Sequence, residues 1–218
     1  MSPKTAMRSF QTSFTGPMLE PYQAGVMSYT YKGIRCLKSP VDIAIYMRLI
    51  WDLKPQTLIE IGSHSGGSAL LLADVMGNMC SAATEVISID LEIPSGVEDD
   101  RIRFLQGDVR DLDNVLVARV LERLAHPWLV LEDSAHSYEG CTAALEFFEA
   151  RMKPGDMLAI EDGVLDDLGM SAKYNGGPNR AIEEFLNARP DSFEIATEYC
   201  DMFGTNATYN PNGYLRRC

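Results

Sequence analysis

The sequence predicts an α/β fold in which a mostly parallel sheet carries helices on both faces. Two observations predict it. Short apolar runs alternate with helical stretches between Thr57 and Asp162, the pattern of a chain winding between sheet and helix. Five of those runs also close on a carboxylate, and open α/β sheets bind ligands at that carboxyl edge. At 218 residues the chain suits one domain that buries its core without disulfide or metal staples.

Taken in order, residues 1–28 are rich in Ser, Thr, Pro and Met and show no sustained period. They read as an N-terminal arm, with a mobile arm as the expectation, followed by a domain over 29–218. Pro40 to Lys54 reads as a helix, because Val41, Ala44, Ile45, Leu49 and Trp51 follow its period, Ser39 can cap it and Pro40 fits its first position. Strands are expected at Thr57–Gly62, Glu85–Asp90, Ile102–Gln106, Trp128–Asp133 and Met157–Asp162. Helices are expected between them at Gly67–Met76, Leu112–Leu124 and Glu139–Met152. A Gly/Asn/Pro loop over 174–179 then leads to a helix near Arg180–Ala188. Two late strands, Phe193–Tyr199 and a run ending in Tyr214–Arg216, bring the sheet to seven.

Composition removes several functions. With 31 acidic against 19 basic residues and a net charge of −12, the chain repels phosphate backbones, so nucleic acid is not an expected partner. No apolar run reaches the roughly 18 residues of a membrane span, and no membrane association is expected. Five widely spaced cysteines without a C-x-x-C pair exclude a disulfide framework and favour a reducing, cytoplasmic compartment.

The strand ends carry the chemistry. The loop Gly62-Ser63-His64-Ser65-Gly66-Gly67-Ser68 follows the first strand and opens a helix, so backbone can approach a ligand near free N–H groups. It has neither the dinucleotide glycine spacing nor the Lys-Ser/Thr of a P-loop, which argues against NAD and ATP. Glu60, Gly62, Ser63 and Ser68 are candidate ligand contacts around it. Asp90 is placed to accept from a ribose diol and Asp108 to read an adenine amino group, although each can instead cap the next element. Acids at both points suit an adenosine ligand with a positive centre, a description that S-adenosylmethionine meets.

Asp133, Glu161 and Asp162 form a second group. Three carboxylates on neighbouring strand ends come together cheaply only around a cation, and oxygen ligation suits Mg²⁺ or Ca²⁺ rather than zinc. Glu161 and Asp162 can both ligate only if the strand has already broken. His136, three residues past Asp133, is a candidate general base, with a structural histidine as its alternative. Tyr138 and the 174–179 loop are candidate ligand walls, whereas Phe203 is expected to pack in the core.

These residues resemble a known family. Gly33 through Asp42, Leu49-Ile50-Trp51, Ile59-Glu60-Ile61-Gly62, Gly66-Gly67-Ser68-Ala69, Ile89-Asp90, Asp133-Ser134-Ala135-His136, Glu161-Asp162 and the tail Tyr209 to Leu215 look like the cephalosporin hydroxylase family. That family groups class I methyltransferase folds, rhamnosyl O-methyltransferases among them. The resemblance runs from about Tyr29 to the end. It implies a Rossmann-like sheet with an antiparallel C-terminal strand, and Mg²⁺-dependent transfer of a methyl group from S-adenosylmethionine to a hydroxyl of a small natural product. By it Glu60, Gly62 and Asp90 hold the donor, Asp133, Glu161 and Asp162 the metal, with Asp133 and His136 as the catalytic pair. Ala135 stands where the family often has an acid. The resemblance also allows a homo-oligomer, and a role for the arm in acceptor choice or assembly. A non-catalytic accessory subunit is the alternative that the family's own name suggests.

Overall fold

The computed structural model describes residues 8–80, 84–118 and 120–218. Its centre is a seven-stranded sheet of order β5-β4-β3-β6-β7-β9-β8, built from β3 (Thr57–Ile61), β4 (Glu85–Asp90), β5 (Ile102–Gln106), β6 (Trp128–Glu132), β7 (Met157–Ile160), β8 (Phe193–Ile195) and β9 (Tyr214–Arg217). The first five are mutually parallel, and β9 runs antiparallel to both β7 and β8. Strand order reverses between β3 and β6, where chain crossovers diverge and leave a crevice at the carboxyl edge.

Both faces are buried because adjacent strand residues alternate. Leu58, Leu129, Leu131, Met157 and Ala159 face α2 (Pro40–Leu53) and α3 (Gly67–Met79). Ile59, Ile61, Val130, Leu158 and Ile160 face α4 (Tyr138–Glu149) and α5 (Gly177–Ala188). Ser39 caps α2, its hydroxyl accepting from the Asp42 N–H, and Pro40 occupies the first turn.

Three expected elements change. The helix expected over Leu112–Leu124 is a broken series, with 3₁₀ turns at Val109–Asp111 and Leu121–Arg123 around a π turn at Asp113–Val117. Valines at 115, 117 and 120 lower helix propensity there, and Val115 packs so tightly on Gly107 that a Cβ at 107 would overlap it. The strand expected over Phe193–Tyr199 stops at Ile195, where its register with Leu215 of β9 ends, and the chain turns into a short helix, α6 (Thr197–Cys200). The first part of the chain also holds structure that its composition hid. Helix α1 (Gly16–Val26) buries Leu19 and Val26 against Val164 and Tyr209, and a hairpin, β1 (Thr30–Tyr31) and β2 (Ile34–Arg35), follows. Arg8 pairs with Asp201 at 2.6 Å, so the described part of the arm lies on the domain. Residues 1–7 lie outside the described residues.

Phe203 is 54% exposed instead of packed in the core, while all five cysteines are free. Among the described residues no helix is long and apolar enough to cross a membrane.

Candidate active site

One cleft of about 870 Å³ opens at the carboxyl edge. Its near wall is the loop after β3. Gly62 has φ +108° and a Cβ there would overlap the Asp133 carbonyl, so only glycine lets β3 and the β6 exit touch. Gly66 (φ +83°) turns the chain into α3, and Gly67 packs against the Arg35 carbonyl of β2. The loop is tied to β4 by Asp90, whose Oδ2 accepts from the His64 N–H at 2.7 Å.

The expected donor contacts separate into two depths. Gly62, Ser63, Ser68, Asp90 and Asp108 line the cleft. Glu60 does not, being fully buried one layer below, where its Oε2 accepts from Ser88 at 2.5 Å. Ser88 in turn shares a hydrogen bond of 2.6 Å with Ser63, so Glu60 reaches the cleft through hydroxyls, by way of Ser88 and Ser63 and by way of Ser68. Asp108 is clamped by Arg110 at 2.6 Å, and the guanidinium holds its carboxyl down at about 2.

Asp133, His136 and Asp162 converge at the inner end, each offering a ligand atom within 4.8 Å of the others. β7 ends at Ile160, and Asp162 adopts a left-handed conformation (φ +62°), held by its N–H donating to Asn210 Oδ1 at 2.9 Å. That break turns Asp162 into the cleft. His136, also left-handed (φ +54°), sets Nε2 3.4 Å from Asp162 Oδ2 and Nδ1 3.9 Å from Asp133 Oδ1. Its Nδ1 is buried without a hydrogen-bond partner. Glu161 is not in that trio: its Oε1 accepts from Lys38 Nζ at 2.5 Å, and the same ammonium reaches Asp133 Oδ2 at 2.6 Å.

Charge is poorly balanced here. Burial lifts the Asp162 carboxyl to about 6, with Asp133 adding and His136 opposing. Burial and Asp133 likewise push Glu161 well above the ordinary carboxylate range, against the pull of Lys38. Beneath them Glu132, buried and with one oxygen unpartnered, rises to about 7 through desolvation although Ser134 donates to it. Carboxylates held this way can bind a hard divalent cation or a proton, and the histidine beside them can accept one.

Several residues here escaped sequence reasoning. Lys38, only 2% exposed, was visible only as one residue before a helix cap. Asn210 belongs to the tail singled out above, yet nothing local says that it shapes Asp162. The outer wall mixes Gln23 and Val26 of α1 and the following Met27 with Met170, Lys173 and Tyr174, so the arm and the late loop meet over the site. Tyr174 stands edge-on to His136, with centroids 6.0 Å apart. Tyr138 instead donates to Glu184 on the surface.

Comparison with known proteins gives one consistent result. The family model described as Rhamnosyl O-methyltransferase/CmcI matches residues 23–218. Rhamnosyl O-methyltransferase from Mycobacterium leprae is 29% identical over 195 residues, covering 86% of this chain and 82% of that protein. The enzyme of the same name from Mycobacterium bovis is 26% identical over 196 residues, covering 86% and 78%. A solved structure of CmcI with Mg and SAM is 28% identical, with a TM-score of 0.66 over 88% of this chain and 77% of that one.

Proposed function

The chain belongs to the rhamnosyl O-methyltransferase/CmcI family, a family of S-adenosylmethionine-dependent O-methyltransferases, and from that premise we propose a Mg²⁺-dependent methyl transfer to a hydroxyl of a small sugar- or ring-bearing natural product. The observation that carries it is the convergence of Asp133, His136 and Asp162 at the inner end of the same cleft that the glycine loop and Asp90 line.

The residues present fit both groups. A cation answers the raised Asp162 and Glu161 carboxyls, with Asp133, Glu161 and Asp162 as its oxygen donors, and leaves the unpartnered His136 Nδ1 to accept a proton. The methyl donor fits the cleft along the loop after β3, with Gly62, Ser63 and Ser68 beside it, the Asp90 carboxylate toward a ribose and Asp108 at the far end. When bound, the sulfonium supplies an electrophilic methyl group and the divalent ion lowers the pKa of an acceptor hydroxyl.

The chain's own work is then positional and acid–base. His136 takes the hydroxyl proton on a ring nitrogen, and Asp133 and Asp162 on either side favour the imidazolium that results. Gly62 brings donor loop and acid cluster into contact, which aligns the two reactants. Tyr174, Met170 and the α1 residues close the outer wall and exclude water.

The test is methyl transfer to rhamnoside and ring-hydroxyl acceptors, with thermal-shift measurements on the donor and on Mg²⁺. Turnover that vanishes in excess EDTA and returns with Mg²⁺ is expected. Unchanged rates in EDTA would remove the metal, full activity in His136→Ala would remove the base, and a melting shift with NAD but none with the sulfonium donor would end the reading.

A further inference from the structure

One face of the sheet edge carries three carboxylates, two of them on a single ammonium. Leu58, Leu131 and Ala159 face α2, and Glu60 is level with Leu131 across the β3–β6 register. Continuing the alternation past the strand ends places Asp133 and Glu161 on that face too. Lys38 enters from the start of α2, its backbone fixed beside the Ser39 cap. Its Nζ bonds to Asp133 and Glu161. Glu60, 0% exposed, leaves Oε1 with no partner.

We propose that Lys38 is a positioning residue with two seats: it holds Asp133 and Glu161 in the metal-free protein, and passes its ammonium to the unpartnered Oε1 of Glu60 when a divalent cation takes those carboxylates. The inference rests on the metal assignment above. A buried ammonium cannot be released to solvent without the chain opening, and an unpaired charge inside is costly. Oε1 of Glu60 is the open carboxylate acceptor on that face among the described residues; burial raises the Glu60 carboxyl, and Lys38 opposes that most, ahead of the Ser68 and Ser88 hydroxyls.

The experiment is calorimetric titration of Mn²⁺ into the full chain as wild type, Glu60→Gln, Lys38→Met and the double variant, with binding of S-adenosylhomocysteine as the control for an intact fold. Glu60→Gln, which touches no metal ligand, should weaken Mn²⁺ about tenfold or more by removing the second seat. Lys38→Met should tighten Mn²⁺ by removing the competing ammonium, and should lower the melting temperature of the metal-free protein. In the Lys38→Met background the Glu60→Gln effect should disappear, a non-additivity that general loosening of the fold would not produce. Equal Glu60→Gln effects in both backgrounds, or weaker Mn²⁺ binding by Lys38→Met, would overturn the inference while leaving the metal assignment intact. If Glu60→Gln fails to bind S-adenosylhomocysteine, the direction of the Lys38→Met change decides alone. A wild type that binds no Mn²⁺ would sink the metal assignment and this inference together.

Discussion

The two ends of the cleft are built on different principles. At the donor end the polar groups are satisfied within one strand exit or across to the adjacent one: Asp108 by Arg110 two residues on, and the His64 N–H by Asp90 at the adjacent strand end. At the inner end Asp133, His136, Glu161 and Asp162 arrive from separate strand exits and leave atoms unpartnered and carboxyls raised. The donor end is complete as it stands, whereas the inner end holds more acid than the Lys38 ammonium answers. A change at the inner end should therefore cost chemistry, and one at the donor end should cost affinity.

The largest effect expected is at Asp133, which serves both Lys38 and the trio. Asp133→Asn should lower methyl transfer by about a thousandfold or more, since it removes a charged ligand where metal activation and proton removal meet. Donor affinity by calorimetry should stay within a few-fold. A matching loss of donor affinity would show that the two ends are one unit.

Gly62 is where the ends touch, and Gly62→Ala should break both. The residue is left-handed and its Cβ would meet the Asp133 carbonyl, so the substitution is expected to cost about 3 kcal/mol of folding stability in a denaturant titration. A variant of unchanged stability would mean that the loop can move off β6.

The pH dependence of stability separates the ends without mutation. The Asp162 carboxyl, at about 6 in the fold, lies above its unfolded value of about 3.9. Its contribution to stability is therefore complete below pH about 4 and lost as pH rises through about 6. The Asp108 carboxyl, depressed to about 2, works in the opposite sense, and its contribution changes only below pH about 4. Between pH 4.5 and 7 the melting temperature of the metal-free protein should fall chiefly through the inner end, where burial raises Asp162, Glu161 and Glu132 together, and not through Asp108. Saturating Mg²⁺ or Asp162→Asn should flatten the slope.

The same contrast explains what could be read from sequence. Parallel strands 57–61, 85–90, 102–106, 128–132 and 157–160 follow from local apolar runs, and the donor loop from glycines next to one of them. Such signals need only neighbours in the chain. Lys38 finds Glu161 across 123 positions, and Asn210 holds Asp162 across 48, so no window of sequence contains either contact. Helix α1 was hidden for a similar reason. Its Pro21 and two glycines weaken a local helical signal, and docking against Val164 and Tyr209 completes it. The broken 109–123 segment errs the other way, since its apolar spacing suits a helix that packing on Gly107 does not allow.

The smallest expected effects lie within the donor end, and they test whether it is truly complete. Asp90 orients the loop through the His64 N–H and leaves Oδ1 with only a 3.5 Å contact to the Glu92 N–H, so a ribose hydroxyl can use it. Asp90→Asn exchanges a charge-assisted acceptor for a neutral amide, and donor Kd should rise about tenfold. Arg110 clamps Asp108 at the outer lip of the cleft, its side chain 69% exposed, and an ion pair so open to water contributes little. Arg110→Ala should therefore move donor Kd by less than about threefold, with no change in metal affinity. If Arg110→Ala costs as much as Asp90→Asn, the clamp itself meets the donor, and the preformed cradle extends one residue further along the β5 exit than local geometry places it.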